Sequence, residues 1–430
     1  MLTLSSAEAG ARTPPALWLT CVNSSFRSWG VKYALFRPVA HAPSPRMIDS
    51  GSHSKALSQL SQLSVSSYFD EVLFQREQQL LFKNGPRYVG HSLAAPNRGD
   101  FYTLPQENGG RALIHGAAGI ELVSNVCRHR QALILQGKGS LPANANGNLV
   151  CPLHNWTYDA CGPNMGKLLG APHFKCDPDL HLHNYKLQEW NGLLFESNGR
   201  NIVGDMANLG PRADLDFSGY KLDHVEMHEC NYNWKTFIEV YLEDYHVGPF
   251  HPGLGNFVTT GDLQWEFKPE YSVQTVGVAN RLGHAGSPIY ERWQTALLNY
   301  QKDNFGGNPP KYGAIWLTYY PHIMVEWYPH VLTVSTLHPM GPQKTMNMVE
   351  FFYPEEIVEF EREFVEAQRA AYMETCVEDD EIALRMDAGR KALMQRGDNE
   401  VGPYQSPMED GMQEFHQWYR RAMQPEKLTA

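Results

Sequence analysis

Two short stretches decide how the chain folds: Cys127-Arg128-His129-Arg130 and Cys151-Pro152-Leu153-His154-Asn155-Trp156-Thr157-Tyr158-Asp159. Each stretch offers one thiol and, two or three residues later, one imidazole, and 21 residues separate His129 from Cys151. Two loops of this kind can hold one centre from opposite sides. A structural zinc finger instead pairs Cys with Cys and His with His. The mixed order favours a two-iron cluster in which the Cys residues hold one iron and the His residues hold the other.

The residues around these ligands extend the match. Residues 127–130 and 151–159 resemble the two halves of the Rieske [2Fe–2S] motif in ring-hydroxylating oxygenases. Gln131 stands where that family usually has Gly, and an insertion within residues 137–147, rich in Gly, Asn and Ala, explains the long spacing. The alternative is a zinc site or four ordinary side chains. The resemblance implies a Rieske cluster in a small β-sandwich domain, held by Cys127, His129, Cys151 and His154.

A second constellation follows in residues 233–252. Glu239, Glu243 and His246 are spaced four and three residues apart, which predicts that they share one helix face. His251 would point about 140° away on a continuous helix. Gly248-Pro249 is predicted to break the helix, so that the chain can turn and bring His251 beside His246. Two His and one carboxylate form the facial triad of non-haem Fe(II) oxygenases.

This run resembles the mononuclear-iron segment of Rieske oxygenase alpha subunits, closest to the choline monooxygenase and glycine betaine branch. That branch has an acid three residues before the first His, as Glu243 stands here, whereas Val240 replaces a usual Asn. Residues 376–384 resemble the C-terminal acidic motif of the family, which precedes a helix. The resemblance implies Asp379 as the third iron ligand, with Asp380 as its rival.

The resemblance also implies a mechanism and partners. Rings of subunits, expected to be homotrimers, place the cluster of one chain beside the iron of the next. Glu243 would link His154 of one subunit to His246 of its neighbour; Asp244 lies off that helix face. No NAD or flavin motif is present, so a separate NAD(P)H-dependent reductase, with or without a ferredoxin, would supply electrons. The chain would then use O2 to hydroxylate, demethylate or dihydroxylate a small substrate: a quaternary ammonium compound, an aromatic acid or an arene.

The pattern along the chain predicts an α+β protein in three parts. Residues 1–64 form a disordered or mis-called tail, since 1–46 carry one acid and five bases and could also be a targeting peptide. Residues 65–205 form the Rieske domain with a leading helix over 68–82 and short strands. Residues 206–430 form a helix-grip (START-like) catalytic domain with an antiparallel sheet. Residues 201–218 are predicted as a linker, 316–318, 322–328 and 331–336 as strands, and 354–372 and 381–395 as helices.

Composition excludes several other functions. The net charge is 36 − 47 = −11, which argues against nucleic-acid binding. No run of 18 apolar residues predicts a membrane span. Seven cysteines, an odd number, make no disulfide framework and indicate the cytoplasm.

Two alternative functions stay open: a Rieske electron-transfer protein without a working iron site, and a helix-grip protein that binds hydrophobic ligands. The aromatic residues Trp316, Tyr319, Tyr320, Trp327 and Tyr328 could line a pocket, form an aromatic cage for a cation, or belong to the core.

Overall fold

The computed structural model describes residues 61–142, 146–209, 213–279 and 284–424. Most of the predicted tail, residues 1–60, lies outside the described residues. Leu63 is already buried, in a core cluster with Tyr68 and Phe415. None of the helices in the described ranges combines the length and the apolar character needed to cross a membrane.

The first part of the chain is rich in short strands. They are β1 (Tyr88–His91), β2 (Asp100–Thr103), β3 (Arg111–Gly116), β4 (Gly119–Ser124), β5 (Lys138–Ser140), β6 (Leu149–Val150), β7 (Thr157–Tyr158), β8 (Leu168–Gly170), β9 (Asn184–Tyr185), β10 (Leu187–Trp190) and β11 (Leu193–Glu196). They form three sheets, in the orders β5-β2-β3-β4-β9, β6-β7-β8 and β1-β11-β10. The predicted small β domain is confirmed.

The second part is built on one seven-stranded antiparallel sheet. Its strands are β12 (Tyr220–Cys230), β13 (Val258–Phe267), β14 (Tyr271–Val278), β15 (Ala314–Tyr319), β16 (Ile323–Tyr328), β17 (Val331–Gly341) and β18 (Lys344–Pro354). The order is β12-β18-β17-β16-β15-β14-β13, so β13 to β18 form a simple meander and β12 pairs with the last strand, β18. The three strands predicted between Trp316 and Thr336 are confirmed as β15, β16 and β17.

Helices flank both parts. They are α1 (Glu71–Glu77), which continues into a π-helical turn (Gln78–Lys83), α2 (Ile202–Asp205), α3 (Trp234–Tyr241), α4 (Val247–Phe250), α5 (Leu254–Phe257), α6 (Pro288–Phe305), α7 (Glu355–Phe360), α8 (Arg362–Arg396) and α9 (Asp410–Ala422). The predicted leading helix is therefore confirmed. Local signals begin several of these helices: the side chain of Asn233 caps α3, and that of Ser287 caps α6 with Pro288 in its first turn.

Alternation along the strands gives the large sheet two buried faces. On β15, Ile315 and Leu317 pack in a hydrophobic core with Tyr88 and Leu194. These two residues belong to the strand-rich first part of the chain, residues 88–196, which is called the cluster domain below. The intervening Trp316 packs on the other face, with Trp293 of α6 and residues of α8. Both faces are covered because side chains alternate along a strand. The helix-covered face is the one that holds the site described below.

Three predictions about chain organisation were wrong. Residues 201–218 are not a bare linker, because they include α2 and bury Ile202, Leu215 and Phe217 in the shared core. Residues 362–396 form one helix of 35 residues, so the acidic motif lies in the middle of a helix and not before one. The helix of the second constellation ends earlier than predicted, at Tyr241 with Leu242 as its C-cap.

Candidate functional site

The two motif loops of the cluster domain share one backbone pattern. The Cys127 amide donates to the Ala132 carbonyl at 2.9 Å, and the Cys151 amide donates to the Trp156 carbonyl at 2.8 Å. The residue four after each Cys returns a second bond: Gln131 N–H to Cys127 O and Asn155 N–H to Cys151 O. Each loop therefore closes into a tight turn that places its thiol and its imidazole on the same side.

The same turn explains the unusual Gln131. Its φ is 56°, and that of Asn155 in the second loop is 58°, so both lie in the left-handed region. Gly adopts this conformation without strain and Asn tolerates it, whereas Gln does so at a cost. The family therefore usually has Gly at position 131 because the backbone there is left-handed, and in this chain Gln adopts that conformation.

The four donor groups converge. The Nδ1 atoms of His129 and His154 lie 3.1 Å apart, and the thiols of Cys127 and Cys151 are adjacent, free and each 1 % exposed. His154 is exposed at the tip, and His129 is half-buried. Two thiols on the inside and two imidazoles on the outside fit the ligand set of a Rieske cluster.

Aromatic side chains support this centre. The Tyr158 hydroxyl accepts from the Arg128 amide at 3.1 Å and lies 3.4 Å from Cys127 Sγ. Burial raises the pKa of Tyr158, so the hydroxyl keeps its proton and can donate to sulfur. The Trp156 ring stacks on His129, with 5.0 Å between ring centroids and 6° between planes.

The segment predicted to bind iron, residues 233–252, is built differently from the prediction. Residues 242–246 leave the helix, His246 is the N-cap of α4, and His251 is its C-cap. Gly248 and Pro249 lie inside this short helix and do not break it. One turn of helix thus brings His246 and His251 together, with 3.0 Å between their Nε2 atoms.

Glu239, predicted on the same face as His246, turns away from this site. It is 1 % exposed, and its carboxylate accepts from Arg390 Nη2 at 2.5 Å and lies 2.7 Å from His416 Nε2. This buried pairing joins α3 to α8 and α9. Its role is structural.

Asp379 completes a three-residue group with the two imidazoles. Its Oδ1 lies 3.0 Å from His251 Nε2 and 3.4 Å from His246 Nε2. Burial opposes the charge of Asp379, but bonds to the two imidazoles lower its pKa, so it is an ionised donor. Metal–ligand bonds of about 2.1 Å at right angles place neighbouring donor atoms roughly 3 Å apart. The three atoms therefore fit adjacent positions on one metal ion.

Each imidazole is held from behind by a carboxylate. Glu243 Oε1 lies 2.5 Å from Nδ1 of His246, and Glu378 Oε2 lies 2.7 Å from Nδ1 of His251. Such partners fix the tautomer and orientation of a metal-binding His. The contact between Glu378 and His251 was not predicted from the sequence. The only signal for it there is that Glu378 directly precedes Asp379.

Asp380, the rival ligand, points elsewhere. Consecutive residues on a helix are about 100° apart, so Glu378, Asp379 and Asp380 face three directions from α8. Asp380 Oδ2 lies 2.7 Å from His228 Nε2, and its Oδ1 accepts from the Tyr232 hydroxyl at 2.7 Å. This contact raises the pKa of His228 to about 10. Both oxygens of Asp380 are therefore engaged, although with His228 and Cys230 it forms a second cluster of potential ligand atoms.

The three-residue group opens into a cavity between the sheet and the helices α3, α6 and α8. Aromatic rings dominate its wall: Phe237, Tyr241, Phe257, Tyr290, Trp293, Trp316, Tyr328 and Tyr372. Of the aromatic residues predicted to line a pocket, Trp316 and Tyr328 do so. Tyr319, Tyr320 and Trp327 are absent from the described wall.

Among the ionisable residues of this wall, acidic side chains predominate. Its described members include four acids, Glu243, Asp244, Glu326 and Asp379, and no Lys or Arg. Glu326 is 0 % exposed, and burial raises its pKa to about 7. Glu326 was not predicted as a site residue. The signal available in the sequence was a single acid inside the otherwise apolar strand IMVEWY.

Comparison with known families identifies two matched regions in the chain. Residues 99–186 match the Rieske [2Fe-2S] domain, and residues 217–425 match the catalytic domain of the ring hydroxylating alpha subunit. The two matches carry the two groups of donor atoms in the predicted order.

Whole-chain relatives agree with both matches. Putrescine 2-hydroxylase of Ralstonia nicotianae is 64 % identical over 362 residues, which cover 84 % of this chain and 95 % of the relative. The glycine betaine monooxygenase oxygenase subunit of Chromohalobacter salexigens is 26 % identical, over 83 % of this chain and 84 % of the relative. The quaternary ammonium Rieske monooxygenase CntA has a similar fold, with a TM-score of 0.65 and 18 % identity over 88 % of this chain and all of that one.

Proposed function

The chain belongs to the family of Rieske non-haem iron oxygenase alpha subunits, and from this premise we propose that it hydroxylates putrescine at carbon 2. As a member it is the terminal oxygenase of its system, and the family carries a Rieske cluster and a mononuclear iron. The observation that carries the substrate proposal is the 64 % identity to a putrescine 2-hydroxylase over nearly its full length.

The cavity supports a cationic substrate. Its described wall has four acids and no Lys or Arg. An aromatic acid would find no Lys or Arg for its carboxylate there, since His228 of the wall is already paired with Asp380, and an arene would not balance the charge of the acids. A doubly protonated diamine complements both the acids and the aromatic rings. Of the substrate classes open at the sequence level, the cavity favours an aliphatic amine.

We assign the cofactor ligands from the converging donor atoms. Cys127, His129, Cys151 and His154 would hold the Rieske cluster, and His246, His251 and Asp379 would hold the iron. Three protein ligands would leave the iron able to bind O2, and the iron, when bound, would supply oxygen activation. Overall, one oxygen atom enters the C–H bond of carbon 2 and the other leaves as water, at the expense of two electrons and two protons.

The residues of the chain prepare this chemistry. Glu243 and Glu378 orient the two imidazoles from behind, so that both Nε2 atoms face Asp379. The apolar rings exclude bulk water from the cavity, which strengthens the attraction between an ammonium group and the acids. Together these contacts would hold an amine beside the triad.

Electrons must arrive from outside the chain. Rieske oxygenases of this kind use a reductase and are oligomeric. We propose an NAD(P)H-dependent reductase and a homotrimer, in which exposed His154 of one subunit meets Glu243 of the next. We also propose a cytoplasmic location, which is supported by six described cysteines that form no disulfide.

The proposal can be tested with the iron-loaded protein, NADH and a reductase that accepts Rieske oxygenases. We expect 2-hydroxyputrescine with one oxygen from isotopically labelled O2, and no product from choline, glycine betaine, benzoate or naphthalene. The His246→Ala variant serves as the control: it should keep the Rieske spectrum and make no product. If the wild-type protein has both centres and leaves putrescine unchanged, the substrate proposal is wrong.

The same assay decides the two other functions considered. An electron-transfer protein would keep its activity in His246→Ala. A ligand-binding protein would bind putrescine tightly without consuming O2. Family membership and the converging triad argue against both.

A further inference from the structure

Glu326 is a buried carboxyl group with no counterion among the described residues. It lies on β16 on the helix-covered face of the sheet and is 0 % exposed. Its carboxylate interacts with hydroxyl groups, those of Tyr328, Tyr372, Tyr241 and Thr333, and no basic side chain of the described residues forms an ion pair with it. A buried carboxylate without a cation is costly, so folds rarely keep one without a ligand or a function for it.

Two tyrosines connect this carboxylate to the cavity. Tyr328 donates to Glu326 Oε2 at 2.9 Å, and Tyr372 donates to Oε1 at 3.0 Å. Trp316 Nε1 donates in turn to the Tyr328 hydroxyl at 3.0 Å. Tyr328 and Tyr372 are half-buried and line the cavity together with Glu326, which is fully buried.

The direction of these bonds decides what the cavity wall offers. A phenol has one proton, and each of these two gives it to the carboxylate. The phenol oxygens therefore present lone pairs to the cavity, backed by a negative charge. Hydrogen-bond acceptors, ring faces and a negative charge together match one kind of group: a protonated amine.

The position along α8 is also suitable. Tyr372 precedes Asp379 by seven residues, so both lie on one face of the helix about 10 Å apart along its axis. The five bonds between the nitrogens of putrescine span roughly 6 Å. A diamine that binds at the tyrosines can therefore reach toward the triad.

We propose that Glu326, acting through the hydroxyls of Tyr328 and Tyr372, is the negative charge that binds one ammonium group of the substrate. This inference rests on the proposed function, because it explains how the same site selects an amine. Glu326 is then a specificity-determining residue, while the triad residues perform the oxygen chemistry.

The effect of removing the charge can be estimated. Hydrogen-bond lengths place the ammonium nitrogen about 5 Å from the carboxylate. At an effective dielectric constant of about 20, that attraction corresponds to roughly a hundredfold in affinity. Glu326→Gln keeps the shape of the side chain and can still accept from one tyrosine.

The chain provides a matched control in Glu350. This residue is also 0 % exposed on a strand of the same sheet, its pKa is also raised to about 7 by burial, and it also accepts from a tyrosine, Tyr88. It is not among the cavity-lining residues. Glu350→Gln therefore removes an equivalent buried charge at a place where no substrate is expected.

The experiment measures KM and kcat for putrescine, and calorimetric binding of putrescine, in the wild-type protein and both variants. We expect Glu326→Gln to raise KM and the dissociation constant about a hundredfold with a smaller change in kcat, and Glu350→Gln to change neither. Butane-1,4-diol, an uncharged molecule of the same length, should interact equally weakly with all three. Iron content and the Rieske spectrum should be unchanged.

The outcomes separate this inference from the proposed function. If the wild-type protein hydroxylates putrescine and Glu326→Gln keeps the wild-type KM, the ammonium site is wrong and the function stands. If the wild-type protein hydroxylates another amine and Glu326→Gln weakens its binding, the substrate is wrong and the ammonium site stands. If no amine binds, both are overturned. Should Glu326→Gln fail to fold, Tyr372→Phe must raise KM for putrescine, and an unchanged KM would overturn the proposal.

Discussion

The carboxylate of Glu243 lies 2.5 Å from Nδ1 of His246, on the side of the imidazole away from Asp379. The side chain of Glu243 is 16 % exposed, so the carboxylate behind the proposed iron ligand is partly accessible. Glu378 holds His251 in the same way at 2.7 Å. This pairing provides two chemically similar carboxylates, of which we assign only Glu243 to the electron path between subunits.

We predict that Glu243→Ala, supplied with saturating iron, keeps both metal centres and uncouples them, because the link between His154 of one subunit and His246 of the next is lost. Substrate-dependent oxidation of the reduced Rieske cluster, followed by stopped-flow absorbance, should slow by at least about a hundredfold. Glu378→Ala is the control. It should weaken iron binding about 10–100-fold, yet transfer electrons normally once iron is saturating. Full turnover in Glu243→Ala would refute the bridge.

The third iron ligand can be identified by substituting neighbouring acids. We predict that Asp379→Asn lowers mononuclear iron content to near zero and leaves the Rieske cluster, because two imidazoles alone bind Fe(II) weakly. Asp380→Asn should keep the iron, since both oxygens of Asp380 face His228 and Tyr232. Metal analysis and the EPR signal of the Fe(II)–nitric oxide adduct measure this. Loss of iron in Asp380→Asn alone would reverse the assignment.

The hydroxyl of Tyr158 should tune the cluster. A donor beside Cys127 Sγ stabilises the reduced, more negative cluster, so Tyr158→Phe should lower the reduction potential. One hydrogen bond of about 1–1.5 kcal/mol corresponds to a decrease of roughly 40–60 mV for one electron. A redox titration followed by EPR measures the potential. Tyr102→Phe, which removes another buried hydroxyl of the cluster domain, should leave it unchanged.

The pKa of Glu326 predicts how amine binding depends on pH. Burial raises this pKa to about 7, and the groups that face the carboxylate are uncharged at that pH: Tyr328 on β16, Thr333 on β17, Tyr241 on α3, and Tyr372 and Cys376 on α8. Protonation of Glu326 removes the charge that binds the ammonium group. We therefore expect KM for putrescine to rise about tenfold per pH unit below pH 7 in the wild-type protein and to stay flat in Glu326→Gln. The same slope in both proteins would mean that another group titrates.

The same residue should reduce stability in the absence of substrate. Because the pKa of Glu326 is higher in the folded state than its usual value of 4.5, the unfolded state ionises first, and unfolding becomes easier as pH rises from about 4.5 to 7. Glu326→Gln should remove this loss. At pH 8 we expect it to unfold with a free energy on the order of 2 kcal/mol higher than the wild-type protein. Urea titrations without substrate measure this difference, and a variant that is less stable at pH 8 would indicate a structural role.

The sequence by itself determined the chemistry of this protein. The Cys and His of the cluster loops are close along the chain, and so are His246 and His251, because local turns must present them together. Their spacing was readable without any fold, and the flanking resemblance added Asp379. Runs rich in β-branched and aromatic residues likewise placed β15, β16 and β17, since such residues favour strands.

Only the tertiary structure decided the rest. The end of α3 at Tyr241 and the unbroken α8 were mispredicted because helix ends depend on what each helix packs against, and propensity is a weak guide. The contacts of Glu378 with His251 and of Tyr372 with Glu326 span 127 and 46 residues. No local pattern encodes such pairs. The role proposed for Glu326 depends on its enclosure by β16, α3 and α8 beside the triad. Burial strengthens the attraction between a carboxylate and a cation.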